Sequence, residues 1–238
     1  YGGGIFILVY IVLAVTFGFT LMTTEIAIGR KTGSSPVMAY QKLCKKFKFL
    51  GYLAASIPVI ILPYYCVIGG WVLKYMMVYL QGMTAEAAGD EFFASFTGNP
   101  TSPLIYFAVY LIATWVIVMG GVEKGIEKIS RVMMPLLVLL SIGICIYIVT
   151  LPGALEGVKY YLLPDFSKFS LKTICAAMGQ MFFSMSLAMG IMITYGSYTK
   201  KDVCLTKSVN QIEIFDTVVA LLAGLMVVPA VYIFSGEE

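Results

Sequence analysis

Six stretches of this 238-residue chain carry no charged side chain at all: residues 1–24, 49–73, 92–122, 132–155, 173–199 and 217–236. A helix needs about 20 apolar residues, rising about 1.5 Å each, to cross about 30 Å of hydrocarbon. In lipid only helices and closed barrels satisfy their own backbone polar groups. A barrel would show alternating segments of about ten residues, and these runs do not alternate. The sequence therefore reads as an all-α polytopic membrane protein with six spans. Composition agrees, since 12% of residues are charged where a soluble domain has about 25%. That excludes a soluble enzyme, a nucleic-acid binder and a disordered regulator. The chain has no histidine, so histidine metal ligands and histidine proton relays are excluded. Its five cysteines, three of them in apolar runs, form no readable disulfide framework.

The charges between the runs order the spans. From Arg30 to Lys48 there are six basic residues and no acid, whereas the segment 83–102 has Glu86, Asp90 and Glu91 and no base. Basic clusters return at 124–131 and 200–207. Because cytoplasmic loops are enriched in Lys and Arg, the first span runs from outside to inside and the direction alternates thereafter. The expected spans are about 4–29, 50–81, 103–121, 127–151, 172–198 and 207–235, within one membrane domain covering 1–238. The chain reads as a piece of a longer, transporter-sized protein of the cell membrane. The segment 82–102 lacks cysteine and a glycosylation acceptor, which favours a bacterial source.

Two acids, Glu25 and Asp216, are candidates for real membrane depth. A carboxylate at mid-bilayer costs about 2.5–3.5 kcal/mol on the mildest scale, so it faces a partner, an ion or a wet cavity. Glu25 is one turn from the inner end of its span, where structural pairing or an ion site both fit. Asp216 is nine residues past Lys207, too deep for a short side chain to reach water along the helix. The fifth span is anomalous, with Gln180, Ser184, Ser186, Ala188 and Gly190 at its centre. Two readings stay open there. Small residues allow close helix packing, or the helix is discontinuous near 186–190 and offers free N–H and C=O groups to an anion and a cation. In the second span the pair Tyr64–Tyr65 follows Pro63 at mid-membrane, where tyrosine either packs or points a hydroxyl at a ligand.

Taken in order, these segments resemble the neurotransmitter:sodium symporter family. The resemblance rests on Gly2-Gly3-Gly4-Ile5-Phe6, Glu25-Ile26-Ala27-Ile28-Gly29-Arg30, the pair Gly125 and Pro135, the run Gly179 to Gly190 with Thr194-Tyr195-Gly196-Ser197-Tyr198, and Leu221-Leu222-Ala223-Gly224-Leu225 with Pro229. It implies part of an inverted-repeat fold of five plus five helices, of which this chain holds helices two to seven, with a discontinuous helix near 186–190. It implies sodium-coupled symport of an amino acid by alternating access. Substrate would meet Ile61, Tyr65, Phe183, Ser186, Ala188 and Met189, an apolar set suited to a hydrophobic or aromatic amino acid. Sodium would meet Ser184 and Asp216, and Tyr198 would sit in a cytoplasmic gate. Tyr10, Gln180 and Ser184 match the chloride site of chloride-dependent members, but Ala220 replaces a serine and Asp216 replaces an asparagine. A fixed carboxylate in place of chloride implies chloride-independent transport. The family's first and eighth helices, which supply further ligands, are not in this sequence. Competing readings are a proton-coupled carrier using Glu25 or Asp216, and a non-transporting membrane scaffold or partner subunit.

Overall fold

The structure is a computed structural model that describes residues 2–235; Tyr1 and residues 236–238 of the expected 1–238 domain lie outside the described residues. In chain order the α-helices are α1 (Gly4–Leu13), α2 (Phe19–Thr32), α3 (Pro36–Leu43), α4 (Lys48–Leu80), α5 (Thr84–Ala87), α6 (Asp90–Gly98), α7 (Ser102–Met119), α8 (Lys128–Val149), α9 (Ala154–Leu162), α10 (Leu171–Ser184), α11 (Ile191–Tyr198) and α12 (Leu205–Ser235). A π-helical turn, Ala14–Gly18, joins α1 to α2, and another, Val122–Glu127, leads into α8. Among the described residues five helical stretches are long and apolar enough to cross a membrane: Gly4–Thr32, Lys45–Leu80, Ser102–Met119, Lys124–Val149 and Leu205–Ile233. The fifth apolar run, 173–199, is not one of them, because it is split into α10 and α11.

The loops contain helices that hydropathy alone does not reveal. Helix α3 starts with Pro36 in its first turn, where a missing N–H is harmless. Helix α9 carries Glu156 near its start and Lys159 near its end, matching the helix dipole. Its Tyr161 hydroxyl donates to the Leu221 carbonyl of α12 at 3.1 Å.

The chain divides into two compact units. One comprises residues up to Ser56 together with those from Leu136 onward. Here α1 packs on α10, α2 on α11, and α12 on α9 and α2. Its core joins Tyr10, Ala14, Met22 and Ile26 to Ala177, Met181, Met185, Leu187 and Val209. Helices α2 and α11 touch backbone to backbone. A Cβ on Gly29 would collide with the Ile193 carbonyl, and one on Gly196 with the Ile26 carbonyl. Reciprocal glycines of this kind let two helices pack with no side chain between them.

The other unit is Ile57–Pro135. In it, Gly70 of α4 lies against the backbone of Phe107, and Gly69 against the Tyr110 ring. The Lys74 ammonium sits 5.5–6.0 Å from the rings of Phe92, Phe96 and Tyr106, fastening α6 to α4 and α7 by cation–π attraction. Gly125, in the second π turn, allows close approach to the Ile117 carbonyl.

Candidate functional site

The break between α10 and α11 is where the chain leaves ordinary helix geometry. Met185 still bonds back to the Met181 carbonyl at 3.0 Å, but Ser186 N–H reaches only Phe183 O at 3.3 Å and Leu187 N–H reaches Phe182 O at 3.0 Å. Ser186 and Ala188 then take φ of 52° and 59°, the left-handed region that costs a non-glycine residue about 1–2 kcal/mol. Gly190, at φ 71°, completes the turn. The strain is held by burial. Met185 and Leu187 are buried in the core, 2% and 1% exposed, whereas Ser186 is half-buried and Ala188 exposed.

Among the described residues, no backbone hydrogen bond is accepted by the carbonyls of residues 185–189, and the N–H groups of residues 189–193 have no acceptor. A helix end leaves such groups unsatisfied, and here two ends meet inside the apolar run. The N-terminal end of α11 supplies donors, and the C-terminal end of α10 supplies acceptors. Chemically, the segment can hold an anionic group on one side and a cation on the other.

One donor is already met. Ala188 N–H donates to Glu25 Oε1 at 2.7 Å, across 163 residues of sequence. Glu25 is 7% exposed, and its Oε2 has no hydrogen-bond partner. The glycine contact between α2 and α11 brings this carboxylate against the break. Helix α3 seats alongside: a Cβ on Gly190 would press on the Pro36 ring. Outside the spans, burial and then the nearby Glu25 charge push the Tyr40 phenol of α3 above its ordinary value.

A second cluster lies at the end of α10. Ser184 Oγ donates its proton to the Asp216 carboxylate, 2.9 Å from Oδ2 and 3.2 Å from Oδ1. Tyr10 Oη donates to Oδ2 at 3.4 Å. An ionised carboxylate has about four lone-pair sites, so two hydroxyl donors leave acceptor capacity for a cation. Carboxylate and hydroxyl oxygens are the donor set that hard cations prefer. Gln180, one turn earlier on α10, lines with Tyr10, Tyr161 and Ala220 a neighbouring cavity of about 240 Å³.

The remaining candidate residues are placed as follows. Phe183 is half-exposed on α10, Met189 lies in the unwound segment, and Tyr198, 65% exposed, is the last residue of α11. Ile61 and Tyr65 belong to the Ile57–Pro135 unit, one turn apart on α4, and the Tyr65 ring meets Tyr64 edge-on at 5.8 Å. Within one unit, then, the fold gathers Tyr10, Ser184 and Asp216 in one cluster and Glu25 with Ala188 in another. Sequence reasoning passed over Glu213, which is 6% exposed with Oε1 unpartnered, one turn before Asp216 on α12. The available signal was an acid two turns past Lys207 with apolar neighbours.

Comparison with known proteins places this geometry in context. Residues 1–94 and 91–237 match the model of the sodium:neurotransmitter symporter family. An uncharacterized sodium-dependent transporter of Bacillus subtilis, YhdH, is 36% identical over 98% of the chain and 53% of its own length. One from Haemophilus influenzae is 32% identical over 99% of the chain and 55% of its own length. Among solved structures, MhsT in complex with L-phenylalanine is 40% identical, with a TM-score of 0.90 over 98% of the chain and 54% of that structure. The chain spans about half the length of the curated relatives it matches.

Proposed function

Since the chain belongs to the sodium:neurotransmitter symporter family, a family of multi-pass membrane transporters and not of enzymes, we propose that the complete protein carries a hydrophobic or aromatic amino acid inward together with sodium. The observation that carries this reading is the unwound segment 185–190, whose unpaired peptide groups lie beside a carboxylate–hydroxyl cluster. Sodium, as co-transported substrate, binds at Ser184 and Asp216. The zwitterion spans the break at Ser186, Ala188 and Met189. Phe183 lines its pocket, and Tyr198 belongs to the cytoplasmic gate. That MhsT was solved with L-phenylalanine supports an apolar side-chain pocket.

Transport is chloride-independent in this reading. In a low-dielectric site an anion beside a cation offsets its charge. The Asp216 carboxylate, held by Tyr10 and Ser184, supplies that charge permanently, leaving no role for chloride near Tyr10, Gln180 and Ser184. Alternating access then follows from a simple balance. Sodium and substrate satisfy the broken helix in the outward state, and each charge moving down 100 mV releases about 2.3 kcal/mol.

The test is uptake of a panel of amino acids into proteoliposomes holding the complete protein. An inward sodium gradient should drive uptake of phenylalanine-like substrates equally in chloride and in gluconate. Uptake driven by a pH gradient without sodium would favour the proton-coupled reading. A several-fold fall in gluconate would refute the role given to Asp216.

A further inference from the structure

The basic segment between α3 and α4 carries a feature the transport reading does not use. Between α3 and the start of α4 the chain reads Lys45-Lys46-Phe47-Lys48-Phe49, a 3₁₀ turn followed by the first residues of a membrane-length helix. All five side chains are exposed, as are Tyr52 and Leu53 one turn further on. Phe49 and Leu53 are 60% and 61% exposed. Exposed aromatic rings alternating with lysines do not suit a loop bathed in water, but they suit the boundary between headgroups and acyl chains. There the rings take the interface and the long lysine stems reach out toward phosphate.

The neighbouring cations are of two kinds. Arg30 and Lys42 are used internally: Arg30 donates to the Val203 carbonyl at 2.6 Å, and Lys42 to Thr32 O at 3.1 Å and Ser34 Oγ at 2.6 Å. Lys45 and Lys46 are exposed, and Lys48 lies 5.4 Å from the Tyr52 ring centroid. No acid occurs between Arg30 and Lys48. Among the described residues the one ion pair, Arg131–Glu127, is in the other unit. The Arg30–Val203 bond ties the end of α2 to the loop bearing Lys200 and Lys201, where Asp202 is the only carboxylate.

We propose that Lys45, Lys46 and Lys48, flanked by Phe47 and Phe49, form a binding site for anionic phospholipid headgroups of the cytoplasmic leaflet. The partner is a lipid rather than an acidic peptide because the strip opens directly into the span α4 and presents aromatic surface at the same level as its charges. Each lysine close to an anionic leaflet strengthens the attraction about fivefold, so the three together discriminate strongly between charged and zwitterionic lipid.

The experiment is native mass spectrometry of the complete transporter in detergent, titrated with palmitoyl-oleoyl phosphatidylglycerol and with the matching phosphatidylcholine. The intact protein is expected to bind phosphatidylglycerol more tightly. The triple variant Lys45→Gln/Lys46→Gln/Lys48→Gln should weaken phosphatidylglycerol at least tenfold and leave phosphatidylcholine unchanged. The charge-conserving Lys45→Arg/Lys46→Arg/Lys48→Arg should keep the preference, which separates a lost site from a misfolded protein. Phe47→Ala/Phe49→Ala should weaken both lipids alike. A control removing Lys159, Lys168 and Lys172 should leave the preference intact. Unchanged phosphatidylglycerol affinity in the glutamine variant, or an equal loss in the control, overturns the proposal.

Discussion

Replacing Glu25 probes how the broken helix is held open. Its Oε1 accepts the Ala188 N–H at 2.7 Å in a site where Glu25 is 7% exposed. Glu25→Ala leaves that N–H without its acceptor in a part-buried site, at about 1–3 kcal/mol. It also frees Ala188, at φ 59°, from its tether. The strain of that φ is common to both proteins, so the loss is that of the hydrogen bond alone, about five- to a hundredfold in the population of the intact segment. Glu25→Gln keeps one acceptor oxygen but places an amide nitrogen where Oε2 has no partner, a loss of about 1 kcal/mol. The assay is hydrogen–deuterium exchange in peptides covering residues 185–190 of the complete transporter, alongside its melting temperature. Exchange should rise sharply and melting fall in Glu25→Ala, with Glu25→Gln intermediate. Wild-type exchange and melting in Glu25→Ala would refute the claim that this carboxylate holds the break.

Other consequences are equally open to measurement. Asp216→Asn removes the fixed charge that Tyr10 and Ser184 hold, so uptake should become chloride-requiring, read as a several-fold difference between chloride and gluconate. Ser184→Ala deletes one donor to Asp216 and a proposed sodium ligand; the sodium concentration for half-maximal uptake should rise about tenfold, a change of about 1.4 kcal/mol, with little change in melting. Gly29→Val or Gly196→Val forces a side chain into the α2–α11 contact; overpacking of this kind costs about 1–3 kcal/mol and should lower the melting temperature by several degrees, whereas Gly179→Ala, with open space at its Cβ, should not.

Much of the architecture was legible because membrane physics writes it into composition. Five of the six charge-free runs reappear as membrane-length helices, and the polar centre of the other marks the interrupted one. What the sequence left open at 186–190, close packing or a break, is decided by the positive φ of Ser186 and Ala188, and close packing is present too, in the Gly29–Gly196 contact beside it. The meeting of Tyr10 with Asp216, 206 residues apart, was beyond any local pattern. The partner of Glu25, the Ala188 N–H, was not legible because its burial is set by the backbone of α11 lying against α2 and not by position along one helix. Helices α3 and α9 escaped notice because short amphipathic segments carry charges that hydropathy treats as loop.

The central claim is that peptide groups of residues 185–190, with Asp216 and Ser184, hold an amino acid and sodium. The most direct measurement is an experimental density map of the complete transporter bound to L-phenylalanine and sodium. The account predicts a non-helical segment at 185–190 with the ligand's charged end against its amides and a cation beside Asp216. A continuous helix through those residues, or a ligand bound elsewhere, would contradict it.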